Sequence, residues 1–364
     1  MTPFVKTDSV VAALRSFLGE LPTEKVPLDW LEGALQRLAR NLEDESIVMS
    51  NMAIDHTGNA ELISLSDLSP LEDPATYDTL EGLPALAENR YVAVAPLGSG
   101  GQGVVKEVTD CYLGRNVALK VLRSELSGNG NAARSFLREA RIMGQLNHAG
   151  IVPIHDVGLL PDGSPCYSMR RIRGRSLREI FQELRELRLR RRTDGTAHIS
   201  KEFTRRRLLE VLVSAAHTVG YAHDRGVLHR DLKPGNLMVG DYGEVLVLDW
   251  GVARLLGRAA PDVSEGPVDL PGDPETTQPG TIKGTPGYMA PEQAFGDVDA
   301  QGPWTDVYSL GLILYEMLLG VPARRPGGSE EALQMARDGV IESPETRRRR
   351  EGLAVAPIPE ELEL

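Results

Sequence analysis

Apolar and polar positions change rhythm along this chain, and the changes divide it. Val10 to Leu18 and Leu28 to Leu42 place apolar residues at three- and four-residue spacings, which predicts two helices. Asp29 and Glu32 stand at the head of the second as a capping-box-like pair. Residues 55 to 88 are rich in Ser, Asp, Pro and Gly and are read as linker. From Tyr91 the rhythm becomes strand-like. Tyr91–Val94, Val104–Val108 and Asn116–Leu122 predict three successive strands, a helix follows over Ala132 to Leu146, and further short strands lie near Ile151–Leu160 and Cys166–Ile172. Beyond them the pattern is mostly helical, over about 176–192, 203–225 and 305–319. The most apolar run, Tyr308 to Ala323, is interrupted by Glu316 and is short for a bilayer, so it predicts a buried core helix and no membrane segment. A small β-rich lobe followed by a helical lobe places a binding site at their junction.

Charge adds a second division. The net charge is −12, but residues up to Arg90 hold 16 acidic against 6 basic side chains, while Arg170 to Arg207 hold 14 basic against 5 acidic. The acidic balance argues against nonspecific nucleic-acid binding. The basic segment is first of all a solvated helix and loop; its functional alternative is a dock for an acidic partner, the acidic extension included. A contact between the two segments would be shallow and salt-sensitive. Cys111 and Cys166 form no CxxC pair and no disulfide framework, and residues 1 to 6 carry no signal-peptide pattern, so the expected compartment is the cytoplasm.

The candidate chemistry begins at Gly98-Ser99-Gly100-Gly101-Gln102-Gly103. Glycines let backbone N–H groups approach phosphate oxygens with no side chain between. The loop alone also fits a tight hairpin or a dinucleotide-binding turn, but the latter requires a helix directly after the glycines, and here Val104-Val105 continues as strand. Lys120 ends the apolar stretch Val117-Ala118-Leu119. An edge lysine would snorkel to water; a phosphate-contacting lysine would pair with a carboxylate, and Glu139 on the following helix is at a suitable remove. The densest cluster is His229-Arg230-Asp231-Leu232-Lys233-Pro234-Gly235-Asn236, followed by Leu248-Asp249-Trp250-Gly251. An acid, a lysine, an amide and a second acid in this order match what phosphoryl transfer from ATP needs: a carboxylate to orient the attacking hydroxyl, a cation for the moving phosphoryl, and two oxygen donors for magnesium.

Glycine loop, strand lysine, helix glutamate, catalytic loop, metal-binding aspartate and the later Gly284-Thr285-Pro286-Gly287-Tyr288-Met289-Ala290-Pro291-Glu292 and Thr305-Asp306-Val307-Tyr308-Ser309-Leu310-Gly311 follow one another in a fixed order. In that order the chain resembles the eukaryotic-like serine/threonine protein kinases of bacteria, from about Tyr91 to Leu364 and not over residues 1 to 88. The resemblance implies an α+β, two-lobed kinase fold: an N-lobe over about 89–172, a C-lobe over about 173–364 that looks truncated, and an acidic extension with linker over 1–88. It implies Asp231 and Lys233 as catalytic residues. Gly98, Ser99, Gly100, Gly101, Gln102, Gly103, Val105, Ala118, Lys120, Glu139 and Met169 would hold ATP, and Asn236 and Asp249 would hold Mg2+. Met169 falls at the gatekeeper position, which makes Arg170 to Ile172 the hinge.

Further readings follow from the same resemblance. Lys233 and Thr285 favour serine and threonine acceptors on protein substrates. Asp306 matches the helix residue that braces the catalytic loop, and His229 reads as packed scaffold. Trp250 replaces the usual phenylalanine and is expected to fill the same apolar slot. Arg230 before the catalytic aspartate implies control by a phosphorylated activation segment, with Thr281 first and Thr276 and Thr277 next. In the family, helices beyond the Ile358–Leu364 region supply an arginine for the Glu292 position; their absence would expose an apolar face of the lower lobe. A pseudokinase scaffold and a small-molecule phosphotransferase are the alternatives. The intact catalytic set argues against the first, and the Ala290-Pro291-Glu292 segment against the second.

Overall fold

The computed structural model describes residues 83–126, 129–194, 203–256, 267–268, 270, 280–324 and 329–353. The predicted helices at 10–18 and 28–42 lie outside the described residues, as do Thr276 and Thr277. The N-lobe is built from β1 (Tyr91–Ser99), β2 (Gly103–Asp110), β3 (Arg115–Leu122), helix α1 (Gly130–Gln145), β4 (Ile154–Leu159) and β5 (Pro165–Met169). All neighbours in its five-stranded sheet are antiparallel, in the order β1-β2-β3-β5-β4. Asn129 starts α1 by accepting from the backbone N–H groups of Asn131 and Ala132, which relieves two of the unpaired donors of the first turn. The apolar stripe of α1, with Ala133, Phe136, Leu137 and Ala140 buried, packs with Leu122 and Tyr167 of the sheet. That packing decides where Glu139 goes: it is on the same helix, one turn from Phe136, and is itself buried. The folded path begins a little before residue 89, since Leu86 donates to the Leu159 carbonyl at 2.8 Å and Leu159 donates back to Pro84 at 3.0 Å.

The C-lobe continues with β6 (Gly174–Ser176), α2 (Leu177–Asp194), α3 (Arg205–Asp224), β7 (Val227–Leu228), β8 (Leu237–Gly240), β9 (Val245–Val247), β10 (Arg254–Leu255), α4 (Pro291–Ala294), α5 (Pro303–Leu319), α6 (Ser329–Asp338) and α7 (Pro344–Glu351). Two small sheets, β6-β8-β9 and β10-β7, carry the loops between them. The run from Tyr308 forms most of α5 and ends where Gly320 takes φ of 73°, a left-handed cap. Its side chains are buried in the main core with Leu212, Val219 and Trp250, which accounts for a helix apolar almost all round. Among the described residues no helix is long and apolar enough to cross a membrane.

The lobes meet through backbone as well as side chains. Val247 donates to the Gly150 carbonyl at 2.8 Å, and the guanidinium of Arg138 on α1 donates to the Ala253 carbonyl. Six arginines of the basic segment form ion pairs among the described residues. Arg170 pairs with Glu244, Arg171 with Glu107, Arg175 with Glu183, Arg185 with Glu316, and both Arg206 and Arg207 with Glu210.

Candidate active site

Strand register assembles the upper wall. Val105 lies opposite Lys120, Ala118 opposite Met169, and Lys120 opposite Tyr167. Residues two apart share a face, so Val105, Ala118, Lys120, Tyr167 and Met169 line one surface. Of the loop glycines, Gly103 is required by the fold itself: a β-carbon there would stand 2.8 Å from the Val121 carbonyl oxygen. Gly98, Gly100 and Gly101 face open space, which leaves their backbone accessible to a ligand. The loop is closed by Gly100 N–H to the Gly103 carbonyl at 2.9 Å. Ser99 ends β1 opposite Val104. The Gln102 side chain turns away from the wall to donate to Ser135 on α1, so what it offers at the loop is backbone.

Lys120 Nζ stands 2.7 Å from both oxygens of Glu139, which is 3% exposed. Tyr167 donates to Glu139 Oε1 at 2.9 Å. Burial, and then the Glu139 charge, push the Tyr167 phenol well above its ordinary value and keep it a donor. The Lys120–Glu139 pair is therefore seated in a fixed cradle, with the ammonium also near the Phe136 and Tyr167 rings.

The lower wall is the segment between β7 and β9. Asp306 of α5 is 0% exposed and accepts three hydrogen bonds at its two oxygens: from the His229 N–H at 2.8 Å and His223 Nε2 at 2.7 Å on Oδ2, and from the Arg230 N–H at 2.7 Å on Oδ1. This holds Arg230 at φ of 66°, a conformation a non-glycine residue rarely adopts unsupported. The chain then turns to present Asp231, whose Oδ1 accepts from Thr285 Oγ1 at 2.7 Å and whose Oδ2 accepts from Lys233 Nζ. Lys233 also reaches Thr285 Oγ1 at 2.9 Å, closing a triangle of acid, cation and hydroxyl. Asn236 spends its amide NH2 on the Asp231 carbonyl at 2.8 Å, which leaves its Oδ1 as an acceptor.

Asp249 is the second non-glycine residue with positive φ among those described, at 65°. It is exposed, and no hydrogen bond or ion pair engages its carboxylate among the described residues. A β-carbon at Gly251 would stand 3.2 Å from Glu139 Oε2 and 3.4 Å from Asp249 Oδ1, so the glycine lets the Asp249 loop lie close against Glu139 of α1. One uncommitted carboxylate and one free amide oxygen fit Mg2+, which takes few protein oxygens and keeps waters and phosphate oxygens for the rest. Among the described residues no group of three or more His, Cys, Asp or Glu side chains is placed to hold a metal ion.

Trp250 fills the expected apolar slot and adds a bond that phenylalanine lacks. Its side chain is 0% exposed, its ring centroid is 4.6 Å from that of His229, and its Nε1 donates to the Val247 carbonyl at 3.2 Å. His229 is packed scaffold, with Nε2 3.0 Å from the Leu248 carbonyl oxygen. Trp250→Phe should therefore lower unfolding stability by about 1–3 kcal/mol, from a lost hydrogen bond and an incompletely filled site. Chemical denaturation checks this, and a wild-type midpoint would show that the slot repacks.

Two roles escaped the motif reading. Tyr167 orients Glu139, and its signal was present only as an aromatic residue two before Met169. Arg324 holds the Thr285-containing loop, and nothing in the local sequence marked it.

A β-rich lobe and a helical lobe that present a lysine–glutamate pair and an acid–lysine–hydroxyl triangle at their junction define the protein kinase architecture. The protein kinase domain model matches residues 91–354. The chain is 36% identical over 249 residues to the serine/threonine-protein kinase PknD of Chlamydia caviae, covering 67% of this chain and 26% of that protein. It is 35% identical over 261 residues to PknD of Protochlamydia amoebophila, covering 71% and 26%, and 38% identical over 251 residues to PknD of Chlamydia trachomatis, covering 66% and 26%. The chain thus belongs to the protein kinase family, among its eukaryotic-like bacterial serine/threonine members. It spans about a quarter of the length of these curated relatives.

Proposed function

We propose that the chain transfers the γ-phosphoryl group of ATP, with Mg2+, to serine and threonine hydroxyls of proteins, its own activation segment among them. The observation that carries this reading is the Asp231–Lys233–Thr285 triangle. Asp231, held by Thr285 and Lys233, takes the acceptor hydroxyl's proton as that oxygen attacks the γ-phosphorus and the bond from phosphorus to the β-phosphate oxygen breaks, releasing ADP. Lys233 offsets charge on the moving phosphoryl, and Lys120, set by Glu139, orients the α- and β-phosphates. Mg2+ held by Asp249 and Asn236 would neutralise the β- and γ-phosphate oxygens. The wall of Val105, Ala118 and Met169 takes the apolar adenine, with loop N–H groups of Gly98 to Gly103 over the phosphates. A nucleotide-binding scaffold without transfer is not favoured, because the curated relatives are serine/threonine-protein kinases and the chain keeps Lys120, Glu139, Asp231, Lys233, Asn236 and Asp249.

Control by the activation segment has a physical basis here. Lys283 is held below its ordinary value by burial, then by repulsion from Arg230 and Arg138. Three cations so gathered gain from a dianion, and Thr281 is two residues from Lys283. Arg178 is exposed and lies against the catalytic loop, where a β-carbon at Gly235 would stand 3.3 Å from its Nε. Its charge acts on the buried Glu316, and its exposed position beside the catalytic loop suits it to meet an acidic stretch of a substrate. The free thiols of Cys111 and Cys166 suit a cytoplasmic setting.

The test is radiolabelled ATP with the purified chain, alone and with a basic protein acceptor, beside Asp231→Asn. Label on both proteins is expected, reduced by about a hundredfold or more in the variant. Phosphate located by mass spectrometry should include Thr281, Thr276 or Thr277. Equal labelling by Asp231→Asn would overturn the assignment of the base, and full activity of a triple Thr→Ala variant would overturn the control.

A further inference from the structure

The loop from Thr285 to Met289 is held from below by a cation with no anion. Arg324, four residues beyond the left-handed cap of α5, is 2% exposed. One arm of its guanidinium, Nη1, donates to the carbonyls of Pro286 at 3.1 Å and Met289 at 2.6 Å. The other, Nη2, donates to Tyr308 Oη at 2.7 Å, and Cζ lies 5.4 Å from the Tyr308 ring centroid. Its Nε is buried without a partner, and no carboxylate pairs with it among the described residues. Burying a guanidinium against neutral acceptors alone is expensive, and an apolar side chain of similar volume would pack the site at less cost.

What the charge achieves is local. The two carbonyls it grips bracket Tyr288, whose own carbonyl accepts from Ser309 Oγ at 2.8 Å. The backbone acceptors of Pro286, Tyr288 and Met289 are thus all taken by groups of α5 and the chain just after it. Thr285, at the head of the same loop, is the residue that touches both Asp231 and Lys233. Glu292, at the other end, is bonded to the Thr305 hydroxyl at 2.6 Å, and no arginine pairs with it among the described residues. The cation that anchors this segment is therefore Arg324.

We infer that Arg324 is a positioning residue for the protein acceptor: by gripping the Pro286 and Met289 carbonyls it sets the Thr285–Met289 loop against Asp231, and so determines how an acceptor hydroxyl is presented. This rests on the transfer reading above. Arg324 touches neither nucleotide nor acceptor. Its removal should act on acceptor binding and leave nucleotide binding alone, because the Lys120–Glu139 pair and the metal-binding residues are held by other elements.

The experiment compares wild type with Arg324→Lys, which keeps the charge but loses the fork, and Arg324→Met, which removes the buried charge. Hydrogen–deuterium exchange should quicken by about tenfold or more at residues 285–290 in both, with residues 231–237 unchanged. The KM for a protein acceptor should rise about tenfold, with the KM for ATP within about twofold of wild type. A purely structural role would instead speed exchange across the lobe and move both constants together. Unchanged exchange at 285–290, or equal shifts in the two constants, overturns the proposal. Should Arg324→Met fail to fold, Arg324→Lys decides by the same readouts. If the wild-type chain transfers no phosphate, the transfer reading fails, and the acceptor role falls with it; the exchange data then judge Arg324's grip on the loop by itself.

Discussion

Asp249→Asn is expected to lower phosphoryl transfer by roughly a thousandfold while leaving the unfolding midpoint near that of wild type. The two halves of this expectation have separate causes. Transfer falls because, on the proposed function, Asp249 would be the carboxylate of the two oxygen donors for Mg2+, and an amide in its place binds a hard divalent cation far more weakly. Stability holds because Asp249 is exposed and engaged by no protein partner, and because asparagine tolerates the left-handed backbone at φ of 65° that this position adopts. Alanine is the poorer probe, since its left-handed conformation costs on the order of 1–2 kcal/mol. Lys120→Ala should abolish transfer as well, but not with the fold untouched. It strands the buried Glu139 with only Tyr167 against it, at about 3 kcal/mol or more. Transfer assays over a magnesium titration, beside urea unfolding of each variant, check both statements. Wild-type transfer by Asp249→Asn would remove Asp249 from the chemistry.

The difference between these two variants shows what the sequence could and could not tell. The lysine, the glutamate and both aspartates were legible because phosphoryl transfer demands particular residue types at near-fixed spacings. So were the long elements: α1 and α3 carry periodic apolar faces, α5 is an apolar run too long for a strand, and β2 and β3 are valine-containing runs bounded by turns. Less visible was which charges are buried. Nothing in Phe136-Leu137-Arg138-Glu139 says that the glutamate is enclosed and the arginine crosses to the Ala253 carbonyl, because both depend on which face of α1 meets the sheet. The short strands β6 to β10 were missed for a related reason. Two to four residues carry no period, and these strands exist because loops dictated by the site bring them together. The arginine-rich segment shows the converse limit. Its composition reads as a solvated basic helix and loop, yet six of its arginines are met by glutamates, one of them 131 residues away, as with Arg185 and Glu316. Arg324 had no signal, since two of its partners are backbone carbonyls, which every residue has, and the third is the hydroxyl of Tyr308, 16 residues away.

Asp306→Ala is expected to destabilise the chain by about 3–5 kcal/mol and to abolish transfer along with it. The carboxylate is wholly buried and is the acceptor for two backbone N–H groups and one imidazole nitrogen. Alanine leaves those donors without partners and with no route to water. It also releases Arg230 from its left-handed conformation, and with it the turn that presents Asp231 to Lys233 and Thr285. Asp306→Asn separates the contributions. Its one carbonyl oxygen can still accept from part of the set, but its NH2 must face another donor, so an intermediate loss is expected. The acid response follows from the same geometry. Burial opposes ionisation of Asp306, yet the hydrogen bond from His223, the charges of His223 and His229 and the His229 N–H outweigh it and hold the carboxyl below its ordinary range. A carboxyl held low in the folded state contributes stability above its unfolded value and loses it as pH falls through the folded value. The wild-type chain should therefore lose this contribution only on acidification below the ordinary carboxylate range, and Asp306→Asn should lack that component. Urea unfolding of wild type and both variants, at neutral pH and down through the acid range, measures it. An Asp306→Ala chain with wild-type stability and transfer would show that the catalytic loop keeps its shape without this brace.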